Sequence, residues 1–337
     1  MKLEFSIVNG FFDKKNINKV FSLGYIDLKK NFSKKNLKFL SYPVFHNDVE
    51  LQKSNLPVVG KIDLKSKLKM NKRLGFRGIY YYKDSIYATS HNSIYQIDKK
   101  DFSIKKILIN NLMYTLHCCY VDNKNIYFPI SKKDKDYLVI CDKNAKIIKL
   151  LYIDKYLKVN VVKNFNKYNW RFDDFEKRSL GNFHINYIQK KGDLIYLTSR
   201  PTSSFLVLNI KNNKCFIMPK KHPTPTAVHD GKIIKNNVYF TSIDAKILIY
   251  KNFKNKFVKK DQKLILLDKS SDNSWCRGVE VYNNYLFTSN KGLYNYPYFE
   301  ILKINLKNLK QNKIVLEKRN FYKHKVRYIN IFDFKII

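Results

Sequence analysis

Six times along the chain an Arg or a His opens a short apolar stretch, and in most of these repeats a second stretch begins about nine residues later. The openings are Arg77-Gly78-Ile79, His117-Cys118-Cys119, His184-Ile185-Asn186, His229-Asp230-Gly231, Arg277-Gly278-Val279 and Arg327-Tyr328-Ile329. The second stretches run from Ile86 to Ser90, Ile126 to Ser131, Ile195 to Ser199, Val238 to Ser242 and Leu286 to Ser289, and the chain ends at Ile337 where a sixth would begin. The chain has eight Arg and seven His in 337 residues, so filling all six equivalent places with these two types is improbable by chance. The third repeat is the loosest, with Ile195 eleven residues after His184.

Each repeat reads as four short strands. A polar turn such as Lys83-Asp84 or Asn236-Asn237 separates the first two. A third strand ends at Asp98, Asp142, Asn209 or Asn305, and an outer strand follows, as at 104–109, 147–151, 215–218 and 314–317. Apolar, β-branched and aromatic runs bounded by Asn, Asp, Lys and Gly are strand signals, and no long segment has the 3.6-residue helical period. A repeat of roughly 40 to 50 residues cannot bury both faces of one sheet alone, so it belongs to a solenoid or radial architecture. The expected fold is therefore all-β, a six-bladed β-propeller of four-stranded antiparallel blades in a single domain over 1–337. Both chain termini would share the closing blade, because 326–337 starts a unit that 3–8, 20–28 and 37–40 would complete. Such closure leaves no open strand edge. Two stretches, 43–75 and 155–181, fall outside the repeat and are expected as insertions; loops on a repeat scaffold commonly carry binding residues.

No run approaches the roughly 18 consecutive apolar residues of a membrane span, and the first ten residues lack the pattern of a secretory signal. A cytoplasmic chain with no membrane partner is expected, and its five cysteines read as reduced core residues, not as a disulfide framework. The formal net charge is +38, enough to attract polyanions. Lys nevertheless outnumbers Arg about sevenfold and is scattered through turns and outer strands instead of clustering in one stripe. A solvated basic surface is the favoured reading, with nucleic acid as a partner not favoured.

The scarce arginines and histidines are more informative. In blade order they read Arg77, His117, His184, His229, Arg277, Arg327, three histidines together and three arginines together once the last blade meets the first. At the start of the first strand of a blade they would stand at a channel mouth, where propellers bind ligands. His117, His184 and His229 could converge on one divalent metal ion, Zn, Mn or Fe, leaving coordination positions open for water or substrate. Arg77, Arg277 and Arg327 would offer planar, permanently charged forks to a carboxylate, sulfate or phosphate. Asn186, two residues beyond His184, and Arg200, after the second strand of its repeat, are further ligand-binding candidates. Asp230 and Glu280 are the candidate catalytic groups, as general base or as the partner that fixes a histidine tautomer. Trp170 and Tyr168 in the second insertion could form a lid, and His222 is read as incidental. A structural reading competes with all of these: half-buried His and Arg at strand starts can hold blades together by bonding a neighbour's carbonyls.

The inner-strand register, with phrases such as Trp275-Cys276-Arg277-Gly278 and Val228-His229-Asp230-Gly231, resembles the six-bladed propellers that include the NHL, gluconolactonase-like and arylsulfotransferase-like proteins, and above all bacterial propellers of unassigned role. The likeness covers most of the chain as pattern. It departs in lacking the Ser-x-Asp-x-Gly-x-Thr-Trp box of sialidases, a repeated Trp-Asp dipeptide and the acidic metal ligands of gluconolactonases. Some propeller lyases, sulfotransferases and carotenoid-cleaving enzymes use axial histidines, so the resemblance is compatible with a His arc without identifying a reaction. Two functions are expected side by side. One is the binding of an anionic small molecule or acidic saccharide by the split His/Arg ring, extending to metal-dependent lyase, hydrolase or transferase chemistry. The other is a non-catalytic scaffold that binds an acidic protein or nucleic acid through its basic surface.

Overall fold

The computed structural model describes residues 1–8, 12–13, 16–43, 55–58, 75–90, 93–109, 116–132, 135–161, 183–218, 228–254, 262–267, 276–290, 298–317 and 330–337. Among them the single helical element is a 3-10 turn, Lys34–Asn36; the rest is strand and turn, as the alternating pattern requires. None of these residues forms a helix long and apolar enough to cross a membrane.

Six sheets carry the strands. In chain order, β1 (Lys2–Val8), β2 (Phe12–Asp13), β3 (Asn16–Asp27) and β4 (Leu37–Pro43) join β26 (Asn330–Ile336) in the sheet that holds both termini. The second sheet is β5 (Gly78–Tyr82), β6 (Ser85–Thr89), β7 (Ile94–Asp98) and β8 (Ile104–Ile109). The third is β9 (Tyr120–Val121), β10 (Asn125–Lys132), β11 (Lys135–Asp142), β12 (Ile147–Ile153) and β13 (Val159–Val161). The fourth is β14 (Ile185–Lys191), β15 (Leu194–Ser199), β16 (Ser204–Asn209) and β17 (Lys214–Ile217). The fifth is β18 (Val228–Ile234), β19 (Asn237–Ser242), β20 (Lys246–Tyr250) and β21 (Gln262–Leu266). The sixth is β22 (Arg277–Tyr282), β23 (Tyr285–Asn290), β24 (Tyr298–Asn305) and β25 (Gln311–Glu317). These are the six antiparallel blades the repeat predicts.

The closing blade settles how the termini share it. The C-terminal β26 pairs β1 from Leu3↔Ile336 to Val8↔Asn330, β1 pairs β3, and β3 pairs β4. One strand comes from the C-terminus and four from the N-terminus, the two-residue β2 among them, and Lys2 and Ile337 exchange backbone bonds of 2.9 and 3.0 Å at the seam. The insertion expected over 155–181 begins later than its expected boundary, since Val159–Val161 pairs β12 as a fifth strand of its blade. Trp170, Tyr168, His222 and Arg327 lie outside the described residues, as do most of 43–75; Val58 forms an isolated bridge to Ile107, whose N–H donates to the Pro57 carbonyl at 2.8 Å.

The chain divides into two compact units, Met1–Pro43 with Thr198–Phe205 and Ile217–Ile337, and Val44–Leu197 with Leu206–Phe216. Core formation is clearest in the second unit. Along β10, Ile126, Phe128 and Ile130 enter one apolar cluster while Tyr127 enters another; on β11, Tyr137, Val139 and Cys141 alternate with Leu138 and Ile140 in the same way. Successive side chains point to opposite faces, so a sheet buried on both sides needs an unbroken apolar run, which is what the sequence contains. Cys118 and Cys119 separate into these two clusters, and all five cysteines are unbridged.

The turns follow the Asp and Asn signals. Oδ1 of Asp98, Asp142, Asn209 and Asn305 accepts the N–H two residues on, at 2.6 to 2.9 Å, turning the third strand of these four blades into its outer strand. Gly78 has a tighter role: a Cβ there would lie 2.5 Å from the His117 carbonyl oxygen. Backbone cannot retreat as a flexible side chain can, so Gly78→Ala is expected to cost about 2 kcal/mol in urea unfolding.

Candidate functional site

The first strands of the blades position the expected site residues, and β-bulges shape two of them. In β18 the register with β19 slips by one residue between Val228 and Gly231; in β22 it slips between Arg277 and Val279 against β23. Gly278 sits in that second slip with φ of 60°, a left-handed conformation that glycine adopts without strain. The Arg-Gly pairs at 77–78 and 277–278 thus need glycine for different reasons, a close backbone approach in one and a bulge in the other.

In the first unit His229, Asp230, Arg277 and Arg200 form one electrostatic group. His229 and Asp230 are almost fully buried, at 1% and 5% exposed, and His229 Nδ1 lies 2.9 Å from Asp230 Oδ1. Asp230 Oδ2 also accepts the Gly278 N–H at 2.9 Å and the Thr241 hydroxyl at 3.4 Å, while the Thr241 oxygen accepts the Asp230 N–H at 3.1 Å. Burial lowers the His229 pKa and Arg277 lowers it further; the opposing charge of Asp230 acts less strongly than Arg277, and Arg200 adds to the lowering. For Asp230, burial pushes upward, but His229, Arg277 and the Gly278 N–H outweigh it and hold the carboxyl below the usual carboxylate range. A neutral His229 beside an ionised Asp230 carries its proton on Nδ1, which makes Nε2 the acceptor nitrogen of the ring. Of the two roles expected for Asp230, the one its geometry fits is that of fixing the tautomer.

Glu280 goes elsewhere. Its Oε2 lies 3.1 Å from the buried amine of Lys232, and Oε1 accepts the Val281 N–H. In the second unit Arg77 is buried at 2% exposed, His117 at 8%, and the rings of His117 and His184 are 5.7 Å apart and edge-on. His184 adopts φ of 43° just before β14. The Asn186 carbonyl accepts the Cys118 thiol at 3.5 Å, and the buried Asn186 side-chain amide meets no hydrogen-bond partner among the described residues. Among the described residues no three His, Cys, Asp or Glu side chains are grouped so that they could hold a metal ion.

A second recurrent feature carries structural weight. The Thr of the repeated Thr-Ser phrase is fully buried in β6, β15, β19 and β23, and its hydroxyl reaches the first strand of its own or the next blade. Thr89 Oγ1 donates to the His117 carbonyl at 2.9 Å, Thr198 to Gly231 at 3.2 Å and Thr288 to Gly278 at 2.7 Å, while Ser289 reaches Ile331 at 3.1 Å. Lysines on outer strands add another set of links: Lys149 donates to the Ile210 carbonyl at 3.1 Å and Lys263 to that of Leu306 at 3.2 Å. Part of the lysine excess therefore joins blades instead of only facing solvent. The threonines escaped the sequence reading, although their signal, a Thr at one register position in four repeats, was present.

No protein-family model matches the chain, and no curated protein matches it. Solved structures do. One, from a nidogen/laminin complex, aligns over 99% of this chain and 97% of its own at 9% identity, with a TM-score of 0.56. Another, a putative 6-phosphogluconolactonase from Bacteroides uniformis, aligns over 92% of this chain and 81% of its own at 9% identity, with a TM-score of 0.50. At such identity the likeness shows fold alone. Together with the six sheets, it makes the chain an all-β, six-bladed β-propeller.

Proposed function

We propose that the chain binds an anionic small molecule, an acidic saccharide or a phosphorylated or sulfated compound, through Arg277 and Arg200 beside His229. The observation that carries this reading is the buried His229–Asp230 pair, its ring nitrogen and carboxylate 2.9 Å apart, with the charges of Arg277 and Arg200 both acting on His229. A buried place that two arginine charges reach is suited to an anion, and a guanidinium meets carboxylate or phosphate oxygens at two points. Nε2 of His229, oriented by Asp230, is the group that would take a proton from a bound hydroxyl or water.

The test is a thermal-shift series at constant ionic strength with sulfate, phosphate, glucuronate and a phosphorylated sugar acid, on the parent chain and on Arg277→Gln. A saturable rise in Tm with at least one anion, lost in the variant, is expected. Equal responses in both proteins, falling away as salt is raised, would instead favour a polyanion bound by the lysine-rich surface. Elemental analysis of the untagged protein reads directly whether a divalent metal is bound.

A further inference from the structure

The outer strand of the fifth sheet, β21, is a bare edge with apolar side chains exposed on it. It pairs β20 over all five of its residues, from Lys246↔Leu266 to Tyr250↔Gln262, and ends its sheet, so that among the described residues no strand lies on its outer side. Bare edges are ordinarily guarded by lysine or proline, and this chain is rich in lysine. β21 nevertheless exposes two leucines, Leu264 at 41% and Leu266 at 45%. By contrast, the outer strand of the sixth sheet, β25, buries Ile314 and Leu316 and exposes Gln311, Asn312 and Lys313.

Alternate residues of an antiparallel strand bond its neighbour. The Leu267 N–H donates to the Ala245 carbonyl at 2.9 Å, so Lys263 and Ile265 bond β20 while the N–H and C=O of Leu264 and Leu266 turn to the open side. There the Leu266 carbonyl accepts the side-chain amide of Gln311 at 3.3 Å, an exposed bond. The side chains alternate as well. Leu264 and Leu266 share one face, and Ile265 on the other enters an apolar cluster with Leu302 and Ile304 of β24. Lys263 is on that second face, and its Nζ donates to the Leu306 carbonyl at 3.2 Å, in the turn that also carries the exposed Lys307 and Lys310. Asp244, two residues before the Lys246 that pairs Leu266, is held in an ion pair by that lysine. One face of the edge is therefore apolar and the other basic.

We propose that β21 is a docking edge for an extended segment of another protein in which apolar and acidic residues alternate. Added beside β21, such a segment bonds the Leu264 N–H and C=O and the Leu266 N–H. It lays its apolar side chains against Leu264 and Leu266 and turns its carboxylates toward Lys263, Lys307 and Lys310. The period of two in the partner follows from the two unlike faces of the edge. A second copy of this chain is a poor occupant, because each copy carries a formal net charge of +38 and would bring its own lysines against these. The proposal uses none of Arg277, Arg200 and His229 and stands apart from the anion site.

The experiment is fluorescence anisotropy with the full chain at about 0.15 M salt. Two labelled octapeptides of one composition serve as probes, the first alternating Val and Glu, the second with four Val followed by four Glu. The alternating peptide is expected to bind saturably and at least about tenfold more tightly than its block isomer. The variant Leu264→Lys, Leu266→Lys adds positive charge at exposed positions, so attraction by charge alone would hold or grow. A loss of at least about tenfold in affinity for the alternating peptide is expected instead. Equal binding of the two isomers overturns the proposal, and because that comparison is made in the parent protein, no variant has to fold for it to count. Undiminished binding by the variant also overturns it, as does a dimer of the parent chain, seen by sedimentation, that the two added lysines dissociate.

Discussion

Lys232→Ala is expected to remove about 3–5 kcal/mol of stability in urea unfolding, the largest loss of any single change described. The reason lies in what remains. Truncation leaves Glu280 facing an empty position, Asp333 without its neighbouring cation, and the Val279 and Phe334 carbonyls without a donor in a buried place. The attraction within such a group is largely offset by the cost of taking its charges out of water, whereas breaking it strands a buried charge at full cost. Lys105→Ala, which removes the amine beside Asp98 at the surface, is expected to move the unfolding curve far less. A loss for Lys232→Ala as small as that of Lys105→Ala would mean that water or a rearranged side chain takes over the lysine's bonds.

Asp230→Ala is expected to cost about 3 kcal/mol, since His229 Nδ1, the Gly278 N–H and the Thr241 hydroxyl all lose the carboxylate they meet. The same group makes the protein acid-labile, and the sign follows from which state binds protons first. His229 resists protonation when folded, so below its ordinary value of 6.5 the unfolded chain takes up a proton that the folded chain refuses, and stability falls. Asp230 has a depressed pKa in the folded state, so its contribution is complete above 3.8 and is lost as pH drops through the lower folded value. Both residues act in one direction, in two successive windows. Unfolding free energies measured from pH 7 down to pH 3 should decline in both; in Asp230→Asn the decline below pH 3.8 should be shallower, and an unchanged slope there would remove Asp230 from the account.

The fold was legible because propeller blades repeat their chemistry. Tyr-rich second strands, Asp and Asn at the ends of third strands and two-sided apolar runs each state a local requirement, and the requirements agree from blade to blade. How the termini divide the closing blade was not legible, since it depends on β26 pairing β1 across the whole chain length, and pairing over that distance leaves no local pattern. The fifth strand at 159–161 is equally hidden, being three residues of polar and apolar type on an edge.

The site was only partly legible. Marking His229, Asp230, Arg277 and Arg200 separately by their places in the repeat was sufficient to find a group that interacts. Glu280 was assigned to the same chemistry, yet it turns to Lys232, a residue that looks like one more lysine in a lysine-rich chain. Nothing in the sequence separates a buried lysine from an exposed one when both follow a polar turn pattern. The threonine hydroxyls show the same limit from the other side: their recurrence was visible, but a hydroxyl's partner on the next blade is a property of packing.

The most direct test of the anion-binding account is a crystal of the protein soaked in selenate, with anomalous diffraction read at the selenium edge. The account predicts an ordered selenate against the Arg277 guanidinium, within reach of Arg200 and His229, and its absence in Arg277→Gln. Selenate bound only at surface lysines, with the Arg277 guanidinium engaged by protein groups on every side, would contradict it.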